Sequence, residues 1–241
     1  MSNPTAAMLV IGDEILSGRT RDINANVLAL ALTEHGIDLE EVRFVPDVEA
    51  RIIDGLNQLR MQFDHVFTSG GIGPTHDDIT ADCIARAFGV GIDVREDARA
   101  ILATNYANTD MDLNAARLRM ARIPDGATLI DNPISKAPGF TLGNVHVMAG
   151  VPKIFAVMLD GVLTTLKGGQ PLLSATVRVE RPEGEVAVPL RVFADANPDL
   201  SVGSYPFNVD GVLGCNLVIR HQDTGVLARA EAALRTAMGL D

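Results

Sequence analysis

Positive charge is scarce in this sequence. The chain has 20 Lys and Arg residues against 31 Asp and Glu residues, which gives a net charge of −11. This excess of negative charge argues against binding along a nucleic-acid backbone, so we expect no nucleic-acid partner. An acidic chain can still bind a phosphate locally, and the charge therefore does not exclude a small phosphorylated ligand.

Cysteines and long apolar runs are also few. Cys83 and Cys215 lie far apart with no CxxC spacing, which favours free buried thiols over a disulfide or a zinc site. No apolar run is long enough to span a bilayer, and residues 1–5 lack the basic start of a signal peptide. We therefore expect a cytoplasmic protein with no membrane partner.

Short apolar runs alternate with helical patterns over the first two thirds of the chain. Strands are expected at residues 6–11, 39–45, 65–68, 128–130 and 145–148, and helices at 23–35, 52–59, 78–88, 95–121 and 151–166. A break in the fourth helix is expected at residues 108–110. The βαβαβα order at the start predicts an α/β fold with a mostly parallel sheet and helices on both faces.

The pattern changes after residue 170. Residues 167–171 have the composition of a linker, and strands at 175–179 and 216–220 precede a terminal amphipathic helix at 223–238. The sequence thus predicts two domains, a large one at 1–170 and a small α+β domain at 171–241.

Residues 68–80, here called the glycine loop, are the most informative segment for function. They follow an expected strand and precede an expected helix, a position where backbone N–H groups bind phosphate. The candidate ligand-binding residues are Ser69, Gly70, Gly71, Gly73 and Thr75. The loop is neither a P-loop nor a dinucleotide fingerprint, because Gly-Lys-Ser/Thr is absent and His76 stands in place of the third glycine.

Two adjacent carboxylates, Asp77 and Asp78, end the glycine loop. Carboxylates beside a phosphate site are typical of a phosphate held with a divalent cation, so both are candidate metal ligands. The plainer alternative is a tight turn in which one of these two residues caps the helix.

Carboxylates also follow the first two strands. Gly12, Glu14 and Ser17 follow the first strand, and Asp47 follows the second. The C-terminal ends of parallel strands share one edge of a sheet, so these residues are expected near the glycine loop, with Glu14 as a metal ligand and Gly12 and Ser17 as ligand contacts. Ordinary turns and helix caps are the alternative.

A rigid loop at residues 132–140 supplies the last candidates. Lys136 is one of only three lysines in the chain, and it could neutralise a phosphate, although a solvated surface lysine is the alternative. Gly139 follows it in the same loop.

Residues 11–18, 68–80, 137–140 and 150–152, taken together and in order, resemble the N-terminal part of the competence/damage-inducible protein CinA family. That part is similar to the molybdopterin-binding (MoaB- and MogA-like) domain of molybdenum-cofactor biosynthesis proteins and to a domain of some FAD synthases. The segment after residue 171 resembles the small KH-like domain that follows in CinA. The chain ends before the amidase domain of many CinA proteins, so that activity is not expected.

The resemblance implies a three-layer α/β/α domain that binds a pterin or an adenine nucleotide, and assembly as a homo-oligomer. It assigns catalytic roles to Asp78 and Asp47, and it implies hydrolysis of ADP-ribose or related pyrophosphates with Mg²⁺, Mn²⁺ or Co²⁺. Molybdopterin binding without hydrolysis is the alternative. Where the family usually has Glu-Met after Gly-Val-Pro-x, this chain has Ile154 and Phe155, which changes the edge of the expected site.

Overall fold

The computed structural model describes residues 2–107 and 112–240, so the break expected at residues 108–110 lies outside the described residues. The chain folds as two compact units, residues 1–169 and residues 170–241. This division falls one residue before the boundary expected from the sequence. Within the described ranges, no helix combines the length and apolar character needed to cross a membrane.

The elements of the large unit follow the expected alternation, with short additions. The strands are β1 (Thr5–Ile11), β2 (Asp38–Val45), β3 (His65–Ser69), β4 (Ile92–Val94), β5 (Arg122–Pro124), β6 (Thr128–Ile130), β7 (Gly139–Leu142) and β8 (Val145–Met148). The helices are α1 (Asp13–Leu16), α2 (Asn24–His35), α3 (Glu49–Gln62), α4 (Thr80–Phe88), α5 (Glu96–Thr104), α6 (Ala115–Leu118) and α7 (Pro152–Leu163), with a 3₁₀ turn at Arg119–Ala121.

A six-stranded sheet in the order β2-β1-β3-β8-β7-β6 forms the centre of the large unit. The first four strands of that order run parallel, while β7 and β6 are antiparallel to their neighbours. Alternate β1 residues face opposite sides: Leu9 packs in one apolar cluster with α3, α4 and α5, and Met8 in another with α2 and α7. The expected α/β/α sandwich with a mostly parallel sheet is therefore confirmed.

Two expectations about the large unit need correction. The helix expected at residues 23–35 rests on apolar residues at helical spacing, Ile23, Val27, Leu30 and Ala31. Leu30 is nevertheless 61% exposed, because the buried face is formed by Asn24, Leu28 and Leu32. The helix expected from residue 78 begins at Thr80, since residues 77 and 78 still belong to the preceding loop.

The small unit contains an antiparallel sheet and two helices. Its strands are β9 (Leu173–Val179), β10 (Ser201–Val209) and β11 (Val212–His221), in the order β10-β11-β9, and its helices are α8 (Glu183–Ala196) and α9 (Thr224–Ala237). Leu227, Ala230 and Leu234 of α9 pack into its core. The sequence predicted the end of a strand at residues 203–206, within β10, but it did not predict α8.

Candidate functional site

The parallel strands bring their C-terminal ends to one edge of the sheet. The backbone N–H of Gly12, after β1, donates to the Val45 carbonyl at the end of β2 at 3.2 Å. The N–H of Gly70, after β3, donates to the Met148 carbonyl at the end of β8, also at 3.2 Å. These bonds join the loops after four strands, as ligand sites on such sheets require.

Two glycines of the glycine loop, Gly70 and Gly71, lie so close to neighbouring residues that neither position has room for a side chain. Gly70 and Gly71 have φ values of 105° and 68°, which favour glycine. A Cβ at Gly70 would strike the Ile11 carbonyl oxygen, and a Cβ at Gly71 would strike the Thr80 hydroxyl. Thr80 is fully buried and donates from Oγ1 to the Gly70 carbonyl and from its N–H to the Gly71 carbonyl, both at 3.0 Å. Thr80 therefore fixes the path of the loop.

Asp78 closes the far side of the glycine loop instead of capping α4. One of its carboxylate oxygens, Oδ2, accepts from the Thr75 N–H at 2.7 Å and from the Thr75 hydroxyl at 2.5 Å. A Cβ at Gly73 would lie 2.6 Å from the same oxygen, so the carboxylate packs directly over that glycine. Arg119 donates to the Asp78 carbonyl at 2.9 Å. The Asp78 carboxylate is thus held in place while Oδ1 keeps its accepting capacity.

Three consecutive N–H groups of the glycine loop have no acceptor. Those of Gly71, Ile72 and Gly73 donate no hydrogen bond to any other part of residues 2–107 and 112–240. Successive unpaired N–H groups in a loop with left-handed residues form a concave site for an anion. The glycine loop therefore has the backbone required for a phosphate.

A cleft of about 490 Å³ lies over the glycine loop. It is lined by Glu14, Thr20, Gly70, Gly71, Ile72, Gly73, Pro74, Asp78, Met120, Asn132, Ser135, Ala137, Ala149, Gly150, Val151, Pro152 and Ile154. The structure thus brings Glu14, Gly70, Gly71, Gly73 and Asp78, all predicted from the sequence, into one cleft. Its volume lies in the range of small-molecule sites.

The other predicted carboxylates lie beside the cleft and do not line it. Asp47 Oδ2 accepts from the Asp13 N–H at 2.9 Å and so orients the turn that carries Glu14. Burial raises the pKa of Asp47 above its usual value; the bond from Asp13 opposes this, and the negative charges of Asp13, Glu14 and Asp77 add to it. The carboxylates of Asp13, Glu14, Asp47 and Asp77 therefore lie close enough to act on one another. Even so, no group of three His, Cys, Asp or Glu side chains among the described residues is placed to hold a metal ion.

Several predicted ligand residues have structural contacts in place of a position on the cleft. The Ser17 hydroxyl donates to the Glu14 carbonyl at 3.3 Å. Gly139 lies in β7, where a Cβ would strike the Val147 carbonyl. Lys136 has a left-handed backbone conformation, with a φ of 57°. Gly12 packs against the Glu14 carboxylate, at 2.7 Å from where its Cβ would be. Ligand contacts by Gly12, Ser17, Lys136 and Gly139, and by Thr75, stay predictions.

Two buried asparagines at the site were missed from the sequence. Asn132 is 1% exposed; its Oδ1 accepts from the N–H groups of Ile134 and Ser135, and its Nδ2 donates to Ala137, so it shapes one edge of the cleft. Asn24 is 3% exposed and lies at the start of α2. Its spacing of four from Leu28, on the buried face of the helix, is the signal that could have revealed it.

Comparison with known proteins gives the family. Residues 7–168 match the family described as "Probable molybdopterin binding domain", and residues 171–241 match the middle domain of FAD synthase. The crystal structure of CinA from Thermoplasma acidophilum is 33% identical, with a TM-score of 0.63, over 68% of this chain and 99% of that one. The chain belongs to the CinA-like branch of this family.

Curated proteins also include relatives of this chain, one of them named CinA-like. A protein of Pyrobaculum calidifontis is 34% identical over 212 residues, which are 84% of this chain and 81% of that protein. A CinA-like protein of Myxococcus xanthus is 38% identical over 160 residues, which are 64% of this chain and 38% of that protein. The family match spans the whole cleft, so the site lies within the molybdopterin-binding-type domain of this CinA-like chain.

Proposed function

We propose that this CinA-like chain is a pyrophosphatase that hydrolyses ADP-ribose or a related nucleotide with the help of a divalent cation. One observation carries the proposal: Gly71, Ile72 and Gly73, whose N–H groups are unpaired, line the same cleft as two acidic residues, Glu14 and Asp78. The N–H groups suit a phosphate, and the carboxylates suit a cation bound to it.

The charge balance of the cleft explains why a cation is needed. No Lys or Arg stands among the described residues that line it, and Arg119, which contacts the glycine loop at the Asp78 carbonyl, is not part of that lining. A phosphate and two carboxylates in one cleft repel each other, and the repulsion is stronger away from bulk water. A divalent cation between them would turn this repulsion into attraction.

The residues fit a cation that arrives with its substrate. Mg²⁺ in nucleotide sites is usually held by one or two carboxylates together with substrate phosphates, not by an all-protein cage. Glu14 and Asp78 would supply those carboxylates, which agrees with the absence of a cluster of three metal-binding side chains from the described ranges. Such an ion, Mg²⁺, Mn²⁺ or Co²⁺, would neutralise the charge on the phosphoryl oxygens.

The remaining cleft residues suit the rest of a nucleotide. Ile72, Met120, Val151 and Ile154 give the cleft an apolar wall, against which a flat adenine ring can pack. The glycine loop would orient the pyrophosphate, and Asp47 would hold the Glu14 turn in place. Asp77 lies close enough to act on Asp47 and would add to the negative field that attracts the cation.

The alternative is a protein that binds molybdopterin or adenylylated molybdopterin without hydrolysis. The observation in its favour is the matched family, whose description names molybdopterin. The same phosphate-binding backbone and apolar wall would serve a pterin phosphate. A fluorescent pterin that co-purifies with the protein would favour this alternative.

Incubation of the purified protein with ADP-ribose, FAD, NAD and ATP, followed by mass spectrometry, tests the proposal. Each substrate is offered with Mg²⁺, Mn²⁺ or Co²⁺ and with EDTA. We expect AMP from ADP-ribose with a metal and none with EDTA. The absence of product with every metal would refute the pyrophosphatase and leave the binding protein.

A further inference from the structure

Arg119 is a cation without an ion pair beside the glycine loop. It begins the 3₁₀ turn Arg119–Ala121, and its side chain is partly buried. Its Nη2 donates to the Asp78 carbonyl at 2.9 Å, whereas its Nε is buried and has no hydrogen-bond partner within the described ranges. No acid among the described residues forms an ion pair with Arg119. A partly buried guanidinium is costly without a compensating negative charge.

The nearby Arg122 shows how an arginine in the same surroundings is usually neutralised. Its two terminal nitrogens contact both carboxylate oxygens of Asp82, each at 2.8 Å. Arg119 and Arg122 line one small pocket of about 10 Å³, here called the arginine pocket, together with parts of the glycine loop and α4. It has room for about one water molecule, so a phosphate does not fit inside it.

The arginine pocket lies against the glycine loop. It shares five residues with the cleft, namely Gly71, Ile72, Gly73, Asp78 and Met120. Arg119 therefore lies next to the three residues with unpaired N–H groups, yet outside the lining of the cleft. Its charge acts on the cleft at a distance, and through protein the attraction between a cation and a phosphate is several times stronger than through water.

The carboxylate of Asp78 does not cancel this charge in the filled site. Its Oδ2 accepts both bonds from Thr75, and the proposed divalent cation would take up the negative charges of Asp78 and Glu14. The phosphate is then the anion that remains for Arg119.

We propose that Arg119 is a positioning residue for the phosphate: its uncompensated charge draws the anion onto the N–H groups of the glycine loop without touching it. The inference rests on the proposed function, since it requires a phosphate in this cleft. The bond from Arg119 to the Asp78 carbonyl holds the guanidinium beside the loop, so its charge is in place before the ligand arrives.

Titration of the ¹⁵N-labelled full chain with inorganic phosphate tests the inference, with the backbone signals of Gly71 and Gly73 as the readout. Arg119→Gln keeps a donor for the Asp78 carbonyl but removes the charge, so phosphate should bind about fivefold to tenfold more weakly. Arg119→Lys keeps the charge and should stay within about twofold of the wild type. Unchanged affinity in Arg119→Gln would overturn the inference, and so would equal losses in both variants.

The matched control is the double variant Asp82→Asn/Arg122→Gln. It removes a cation of the arginine pocket together with the acid that neutralises it. Because this pair carries no net charge, phosphate binding should be unchanged. A loss as large as that of Arg119→Gln would trace the effect to packing in the arginine pocket and contradict a role for charge.

A measurement on the wild type does not depend on the folding of any variant. The Arg119 Nε–H is buried, which slows its exchange with water and makes its NMR signal observable; the signal is assigned by its loss in Arg119→Lys. Phosphate should move it together with the Gly71 and Gly73 signals.

The titration also separates this inference from the proposed function. If phosphate moves the backbone signals but leaves either the Arg119 Nε signal or the affinity of Arg119→Gln unchanged, the inference is wrong and the phosphate site stands. If phosphate moves no signal of the wild type, the glycine loop binds no phosphate, and the proposed function fails together with the inference.

Discussion

Replacing Gly71 by alanine tests how the glycine loop is held, and the chain offers a matched control. Gly71 and Gly89 have the same φ of 68°, so both substitutions carry the same backbone cost of about 1–2 kcal/mol. A Cβ at Gly71 would strike the Thr80 hydroxyl, whereas one at Gly89 would meet no atom of the described residues within 4 Å. The difference between the two variants therefore isolates the contact with Thr80.

The size of that difference follows from the bonds that Thr80 makes. An added methyl group displaces Thr80 from the Gly70 and Gly71 carbonyls, to which it donates two hydrogen bonds of 3.0 Å. At about 0.5–1.5 kcal/mol for each bond, Gly71→Ala should lower the free energy of unfolding by about 1–3 kcal/mol more than Gly89→Ala does.

Urea denaturation of both variants measures this difference. In a Thr80→Ala background, which removes the obstructing hydroxyl, the cost of Gly71→Ala should approach that of Gly89→Ala. Turnover of ADP-ribose should fall in Gly71→Ala and persist in Gly89→Ala. Costs for the two glycines that agree within about 0.5 kcal/mol would refute the account of the loop.

Three further predictions follow from other contacts. Thr75→Val removes one of the two bonds to Asp78 and should lower kcat for ADP-ribose roughly threefold to tenfold; an unchanged kcat would contradict the role of the clamp. Burial lowers the pKa of His146 to about 4, and the neighbouring His65 lowers it further, so protonation of His146 favours the unfolded chain. The free energy of unfolding should therefore fall by up to about 3 kcal/mol between pH 6.5 and pH 4. The fall should be smaller in His146→Gln. Ile154→Glu adds an acid to the cleft and should tighten Mn²⁺ binding in calorimetry several-fold, whereas weaker binding would place the cation elsewhere.

The sequence predicted those elements of the fold whose pattern is local. The buried strands at β1 and β3 are continuous apolar runs, and α2 ends at Gly36, which has the left-handed conformation of a helix C-cap. The three-residue strands β4 and β5 are too short to show alternation, and they form only by pairing with each other. The helix α8 contains Pro189, a residue that argues against a helix in a local analysis.

The sequence indicated those residues of the candidate site whose backbone conformation depends on glycine. It did not indicate the residues that belong to the site because they are buried beside it. The Gly-Gly-x-Gly run indicated the loop from the sequence alone, because few other roles require three glycines at that spacing. The partners of the Asn132 side chain lie within five residues of it, but Asn24 belongs to the site through Gly150, which is 126 residues away in the chain. Tertiary contacts of this kind leave little mark on the local sequence. Asp47 itself was predicted, because it follows a strand, but its contact with the Asp13 turn, 34 residues away in the chain, was not.

Turnover of ADP-ribose by the Asp78→Asn variant tests the central claim most directly. The amide keeps one oxygen that can accept both bonds from Thr75, so the glycine loop should stay folded while the negative charge is lost. The matched control is Asp54→Asn, on the exposed face of α3. With Mg²⁺ or Mn²⁺ present, we predict AMP from the wild type and from Asp54→Asn, and a loss of at least about a hundredfold in Asp78→Asn. Full activity of Asp78→Asn would contradict the assignment of this cleft as the active site.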